Sequence, residues 1–227
     1  MTELLILTIL LMIWTAVIRI VRKIRPGAVP AMAHFALRTP LRQKLFGPVA
    51  TLKAADIKPG WRVLDIGPGW GFLAHEASRQ VGPEGQLVGV DIEERMLHRC
   101  RQSMDAASDP ASLACADGSQ LPFRSDSFDA ALLVSVLGEV RNRSELFAEV
   151  IRCLKPGAYA IVNELVLDPD YVFPWTIRNL AGAAGLEVVE GSGNILCHTT
   201  KLRKPLVETG YVPAQAQEAE VAGQVYR

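Results

Sequence analysis

The chain has 227 residues, 49% of them hydrophobic and 21% charged, with 24 lysines and arginines against 24 aspartates and glutamates. That is enough for one ordinary domain with a buried core and a modest appendage, and the zero net charge lacks the cationic surplus that a nucleic-acid partner would require. Collagen, coiled coil and wholesale disorder are excluded, and the scattered Cys100, Cys115, Cys153 and Cys197 form no CxxC pair and suggest neither a disulfide framework nor a metal site.

Residues 1–25 are expected to form a transmembrane or membrane-anchoring helix. The uncharged run from Leu4 to Ile18 is fifteen residues long, short of the about 20 that a span uses. It lengthens to Val21 if Arg19 snorkels to the headgroups. Arg19, Arg22, Lys23 and Arg25 follow the run and only Glu3 precedes it. A cleavable signal peptide has the reverse order, so an anchor is the favoured reading, despite the small-x-small stretch Ala31-Met32-Ala33 and ahead of a buried core helix. The positive-inside rule then puts the rest of the chain on the cytoplasmic side of the membrane.

Residues 26–57 read as a linker and helical cap, broken at Pro26-Gly27, Pro30, Pro40 and Gly47-Pro48. From 58 to 205 strand-like and helix-like segments alternate. Strands are predicted at 62–66, 86–91, 112–116, 128–134 and 158–165, with helices from Gly71, from Glu93, at 143–154 and across 174–184. Such alternation specifies an α/β fold, a mostly parallel sheet with helices on both faces. In the helix at 143–154, Leu146, Phe147, Val150, Ile151 and Leu154 form one apolar stripe, and Asn142 with Glu145 makes a capping box. Two last strands, 186–190 and 195–202, flank Gly191-Ser192-Gly193-Asn194 and predict a closing hairpin. Residues 206–227, poor in apolar anchors, read as a flexible tail.

Chemistry concentrates at the strand ends. In Val63-Leu64-Asp65-Ile66-Gly67-Pro68-Gly69-Trp70-Gly71-Phe72 a buried strand runs into a glycine turn and then a helix start, which lets backbone N–H groups approach a nucleotide-like ligand. A dinucleotide-binding GxGxxG turn would carry glycine where Phe72 stands, which disfavours a nicotinamide-dependent reductase. Asp91 ends the second strand, where a carboxylate can accept both hydrogen bonds of a ribose diol. Asp117-Gly118-Ser119-Gln120-Leu121-Pro122-Phe123 and Ser127-Phe128-Asp129 follow, then Leu154-Lys155-Pro156-Gly157.

In that ordered set the chain resembles the class I S-adenosylmethionine-dependent methyltransferases of the small-molecule, type 11-like kind, from just before Lys58 to Lys204. The resemblance implies a Rossmann-like seven-stranded sheet with an antiparallel last strand and S-adenosylmethionine as cofactor. It implies that Gly67, Gly69 and Gly71 pass under the methionine part, that Asp91 binds the ribose, and that Asp117, Gly118 and Ile92 form the adenine slot. It further implies that Asp65 orders the glycine turn and the amino end of the methionine; Ser135, at the end of the fourth strand, completes the cofactor-binding set. Two departures stand out: Leu137-Gly138-Glu139-Val140 where many relatives carry an aromatic or histidine pair, and Gly157-Ala158 where a glycine pair is usual.

Glu139, just past the fourth strand, is the leading candidate for a general base, with Glu164 second; a solvated loop carboxylate is the competing reading of Glu139. His75, His98 and His198 read as surface or packing residues, His34 as a packing residue with substrate contact as the alternative, and the cysteines as small buried hydrophobes. The expected function is a membrane-anchored methyltransferase acting on a small lipophilic acceptor: a lipid, a quinone-like ring, a thiol or a phenol. A non-catalytic cofactor-binding membrane scaffold is the alternative.

Overall fold

Apolar β-branched runs and strong helix stops divide the chain into short elements whose order fixes one sheet. The computed structural model describes residues 48–206 except 167, 169, 195 and 196, with the side chains of 48–50 also left aside. The expected anchor at 1–25, most of the linker and cap, His34 and the tail beyond 206 lie outside the described residues. No helix among the described residues is long and apolar enough to cross a membrane.

After helix α1 (Pro48–Ala55) come β1 (Arg62–Ile66), α2 (Ala74–Val81), β2 (Gln86–Asp91), α3 (Glu94–Ala107), β3 (Ser112–Cys115) and β4 (Phe128–Val134). Helix α4 (Arg143–Cys153), β5 (Leu154–Leu165), α5 (Pro174–Ala183), β6 (Glu187–Gly193) and β7 (Cys197–Arg203) complete the unit. The seven strands lie in the order β3-β2-β1-β4-β5-β7-β6. Neighbours from β3 to β5 pair in parallel, and β7 runs antiparallel to both β5 and β6. Class, strand number and the direction of the last strand all match the sequence expectation.

Because side chains alternate along β1, Leu64 and Ile66 enter one core cluster with Phe128, Leu146, Phe147 and Ile177. Val63 enters the other, with Leu52, Leu73, Ala77, Cys100 and Met104. Each face of the sheet is thus covered, which is why β1 and β4 read as continuous apolar runs. The cap of α4 forms as expected, Glu145 N–H donating to Asn142 Oδ1 at 3.3 Å, a contact worth about 1 kcal/mol.

Several boundaries shift. The first helix past the glycine turn begins at Ala74 instead of Gly71, because the turn itself spends residues 69–73. Strand β5 starts at Leu154, four residues early, since Leu154 pairs with Phe128 before a register shift ahead of Ala130 absorbs Lys155-Pro156-Gly157. Gly191, Ser192 and Gly193 pair with Thr200, Thr199 and His198 and so belong to β6 instead of to the hairpin turn. The turn sits later, closed by Asn194 N–H donating to the Cys197 carbonyl at 2.8 Å and Cys197 N–H to Asn194 Oδ1 at 3.1 Å.

Candidate active site

The C-terminal ends of β1, β2 and β4 open on one cleft of about 1170 Å³ among the described residues. Strand order reverses at β1 and β4, the point where open α/β sheets bind ligands. Gly67, Gly69, Gly71, Asp91, Ile92, Asp117, Gly118, Ser135 and Glu139 all line it. Nine of the sequence-predicted site residues therefore meet around one space.

The glycine turn is forced by crowding as well as by dihedral angle. Gly67 has φ +70°, and a Cβ there would lie 2.7 Å from Val136 Cγ2. Only glycine lets the strand turn this sharply against the loop that follows β4. Gly67 N–H donates to the Val90 carbonyl at 2.7 Å, tying the turn to β2, and the Arg99 guanidinium lies 4.7 Å from the Trp70 ring, tying it to α3.

Asp91 closes β2 with its Oδ1 accepting the Glu93 N–H at 2.9 Å. Burial raises its pKa from the ordinary value, although backbone N–H groups act in the opposite sense. Ile92 beside it is 63% exposed at the cleft lip, an apolar surface suited to a flat ring. Asp117 accepts from Ser119 N–H at 2.8 Å and Ser119 Oγ at 2.7 Å, bonds that hold its carboxyl below the ordinary value. A Cβ on Gly118 would stand 3.0 Å from Leu146 Cδ1, so a side chain there would push the leucine back by a few tenths of an ångström. Ser135 adopts φ +51°, a strained conformation for a non-glycine residue that redirects the chain at the end of β4.

Asp65 is placed differently from its neighbours. It is buried and does not reach the cleft wall, and its Oδ2 has no hydrogen-bond partner. Burial first and the Asp91 charge second push its pKa up to about 7. A glycine turn, a carboxylate at the β2 tip and an apolar slot at Ile92 suit a ligand that is hydroxylated in the middle and aromatic at one end. S-adenosylmethionine has that layout.

The same cleft is also lined by Val136, Glu139, Val140, Arg141, Asn142, Glu145 and Asp168. Glu139 reaches the cleft as expected, and Glu164 does not. Its side chain is buried, burial ahead of the Asp168 charge pushes its pKa up to about 8, and its Oε1 has no hydrogen-bond partner. A carboxyl sealed from the cleft cannot take a proton from an acceptor there, so it falls out as a base.

Sequence reasoning missed the supports. Arg152 donates from Nη1 to the Phe123 carbonyl at 2.7 Å and from Nη2 to the Leu121 carbonyl at 3.0 Å, while Leu121 N–H donates to Glu149 Oε2 at 2.8 Å. These bonds pin the segment after Gly118 to α4. The i,i+3 spacing of Glu149 and Arg152 was the available signal. His75 ties α2 to Ser103 of α3 and to Asp109 just beyond that helix, both at 2.9 Å, and so has a packing role, though it also lines the cleft. His98, near the exposed Gln102, and His198, beside Thr200, are likewise non-catalytic in setting. Cys100 and Cys153 are buried, the first pushed up to about 12 by desolvation. Cys115 is exposed, contrary to expectation, because β3 is the edge strand. Among the described residues no group of His, Cys, Asp and Glu could hold a metal.

Residues 64–162 match the family model described as a methyltransferase domain. The chain is 32% identical over 142 residues to the ubiquinone/menaquinone biosynthesis C-methyltransferase UbiE of Bordetella parapertussis, covering 58% of this chain and 55% of that protein. It therefore spans little more than half the length of that curated relative. In fold it is similar to a SAM-dependent methyltransferase from Aquifex aeolicus, at a TM-score of 0.72, 22% identity and coverage of 78% of this chain and 99% of that one. The [4+2]-cyclase SpnF is also similar, at a TM-score of 0.64, 17% identity and coverage of 75% and 84%. The glycine turn, the acidic strand ends and the matched segment agree: residues 64–162 are similar to the methyltransferase-domain family, and the sheet has the fold of the solved S-adenosylmethionine-dependent methyltransferase.

Proposed function

We propose that the chain transfers the methyl group of S-adenosylmethionine to a ring carbon of a small lipophilic acceptor of the quinol type, at the cytoplasmic face of a membrane to which residues 1–25 tether it. The observation that carries this reading is that Gly67 to Gly71 and Asp91, the residues expected to hold the cofactor, line the same cleft as Glu139. The quinone assignment draws on the relative named as a ubiquinone/menaquinone C-methyltransferase. The membrane assignment draws on the uncharged run Leu4 to Ile18 and its basic flank.

When bound, the cofactor supplies a methyl group already activated on a sulfonium. The chain's own work is alignment, which can supply about 7–11 kcal/mol when reacting atoms are held in line. The acceptor carbon gives the electron pair of the new C–C bond, and the S–CH3 bond breaks with its pair left on sulfur. The proton displaced from the acceptor passes to Glu139, which faces the cleft and stands between Val136 and Asn142 in the wall. Asp91 and the glycine turn hold the donor, and neither needs to move a proton in the transfer.

The test uses the full-length protein in vesicles containing a naphthoquinol with one free ring carbon. A gain of one methyl on that carbon by mass spectrometry, dependent on S-adenosylmethionine, is expected. Cofactor binding without transfer to this or a benzoquinol, thiol or phenol acceptor would favour a non-catalytic scaffold, a role open to a fold that also houses a cyclase. Sedimentation of the full-length protein with membranes at high salt, and protease protection of its domain in right-side-out vesicles, check the tether and its orientation.

A further inference from the structure

Two consecutive carbonyls in the loop after β4 are held by one side chain. Arg143, the first residue of α4, donates from Nε to the Leu137 carbonyl at 2.7 Å and from Nη2 to the Gly138 carbonyl at 3.3 Å. Leu137 is fully buried, and Glu139 follows Gly138 directly into the cleft wall. From the other side, a Cβ on Gly138 would lie 2.2 Å from the Asp170 carbonyl oxygen. The loop after β4 and the loop after β5 therefore meet backbone to backbone, and Asp168 of the second loop lines the same cleft. Beneath them Glu164 receives the Val172 N–H at 3.5 Å, and the Leu137 N–H also acts on its carboxyl.

The cofactor side is anchored separately. Ser135 N–H donates to the Asn163 carbonyl at 2.8 Å, and Gly67 is tied to Val90. A guanidinium that grips residues 137 and 138 therefore controls where Glu139 and Val140 stand without touching the residues assigned to the cofactor. Arginine suits this task, because its planar fork satisfies two carbonyls with one preorganised group and keeps its charge at all working pH values.

We propose that Arg143 is a positioning residue for the methyl acceptor, fixing the loop 137–140 so that Glu139 faces the reacting group. The kinetic part of this inference rests on the methyltransferase reading; the structural part does not. Its test compares full-length wild type with R143M, R143K and G138A by amide hydrogen exchange over 136–140, by acceptor KM and kcat, and by calorimetric cofactor affinity. In R143M, exchange over 137–140 is expected to quicken about tenfold or more, and kcat/KM for the acceptor to fall about 10- to 100-fold, with cofactor Kd within about twofold of wild type. R143K, which can satisfy one carbonyl at a time, should fall between the two. G138A, which pushes the loops apart while leaving Arg143 in place, should reproduce the acceptor defect.

Unchanged exchange over 137–140 in R143M, or acceptor constants within about twofold of wild type, would overturn the proposal. So would a loss of cofactor affinity parallel to the loss of turnover, which marks a general structural role. If wild type methylates no acceptor while it still binds cofactor, the functional reading fails alone and the exchange comparison decides the role of Arg143. If R143M does not fold, R143K and G138A supply the same comparison.

Discussion

Asp65, one residue before the end of β1, and Asp91, the last residue of the parallel β2, lie on neighbouring strands, and the charge of Asp91 adds to burial in holding the Asp65 proton up to about pH 7. The folded protein binds this proton more tightly than the unfolded chain does. The associated stability is therefore present in full below the ordinary aspartate range and is lost as pH rises through about 7. Asp65→Asn removes the titration, so its melting temperature should decline less between pH 5 and 8 than that of wild type, by at most the equivalent of about 3 kcal/mol. Glu164, pushed up to about 8, contributes with the same sign. A double variant with Glu164→Gln should be flatter still, and equal slopes in all three proteins would remove the basis for both assignments.

Asp91→Ala should weaken S-adenosylmethionine binding by about 1.5–3 kcal/mol, the range for hydrogen bonds to a charged group. Because Asp91 also accepts the Glu93 N–H, Asp91→Asn is the control that keeps an acceptor at this position. Calorimetry showing wild-type affinity in the alanine variant would sink the ribose assignment.

Gly67→Ala carries two penalties that can be separated. The positive φ costs about 1 kcal/mol or more for any residue with a Cβ, and the clash with Val136 comes on top. Val136→Ala in the same chain should relieve the second penalty and leave the first, so the double variant should be more stable than Gly67→Ala alone. Urea denaturation of the four proteins gives the coupling directly.

Glu139→Gln should cut turnover by about 10²–10⁴ while cofactor affinity stays intact, since the loss falls on proton removal. Wild-type turnover in this variant would return Glu139 to the role of a solvated loop carboxylate.

The cofactor half of the site is legible in the sequence because each part is local: a strand end, a turn, a helix start. Asp65, Gly67 and Gly69 need only their own neighbours to declare them, and Asp91 and Asp117 stand at the ends of runs with plain strand periodicity. What the sequence hides is burial that depends on distant segments. Glu164 reads like Glu139, a carboxylate near a strand end, and only the packing of Leu137 and Val172 over it sets the two apart. Arg143 looks like an ordinary first-turn helix residue, since its partners are carbonyls that carry no sequence signature. The glycines at 191 and 193 misplace the hairpin turn because an edge strand tolerates them, and β6 is exposed along its whole length.

The central position of β1 bears on how the chain emerges from the ribosome. Its two partners are β2, close behind it, and β4, whose last paired residue is Leu133. Val136, the side chain that crowds the glycine turn, comes later still. Until roughly that residue has left the exit tunnel, one edge of β1 stays unpaired and an apolar flank that will later be covered faces water or a chaperone. Nascent chains arrested before Leu133 should therefore be protease-sensitive and bound by holdases. Those arrested after β5 has emerged should hold the five parallel strands β3-β2-β1-β4-β5, and the turn between Asp65 and Gly71 should gain its protection in that same step.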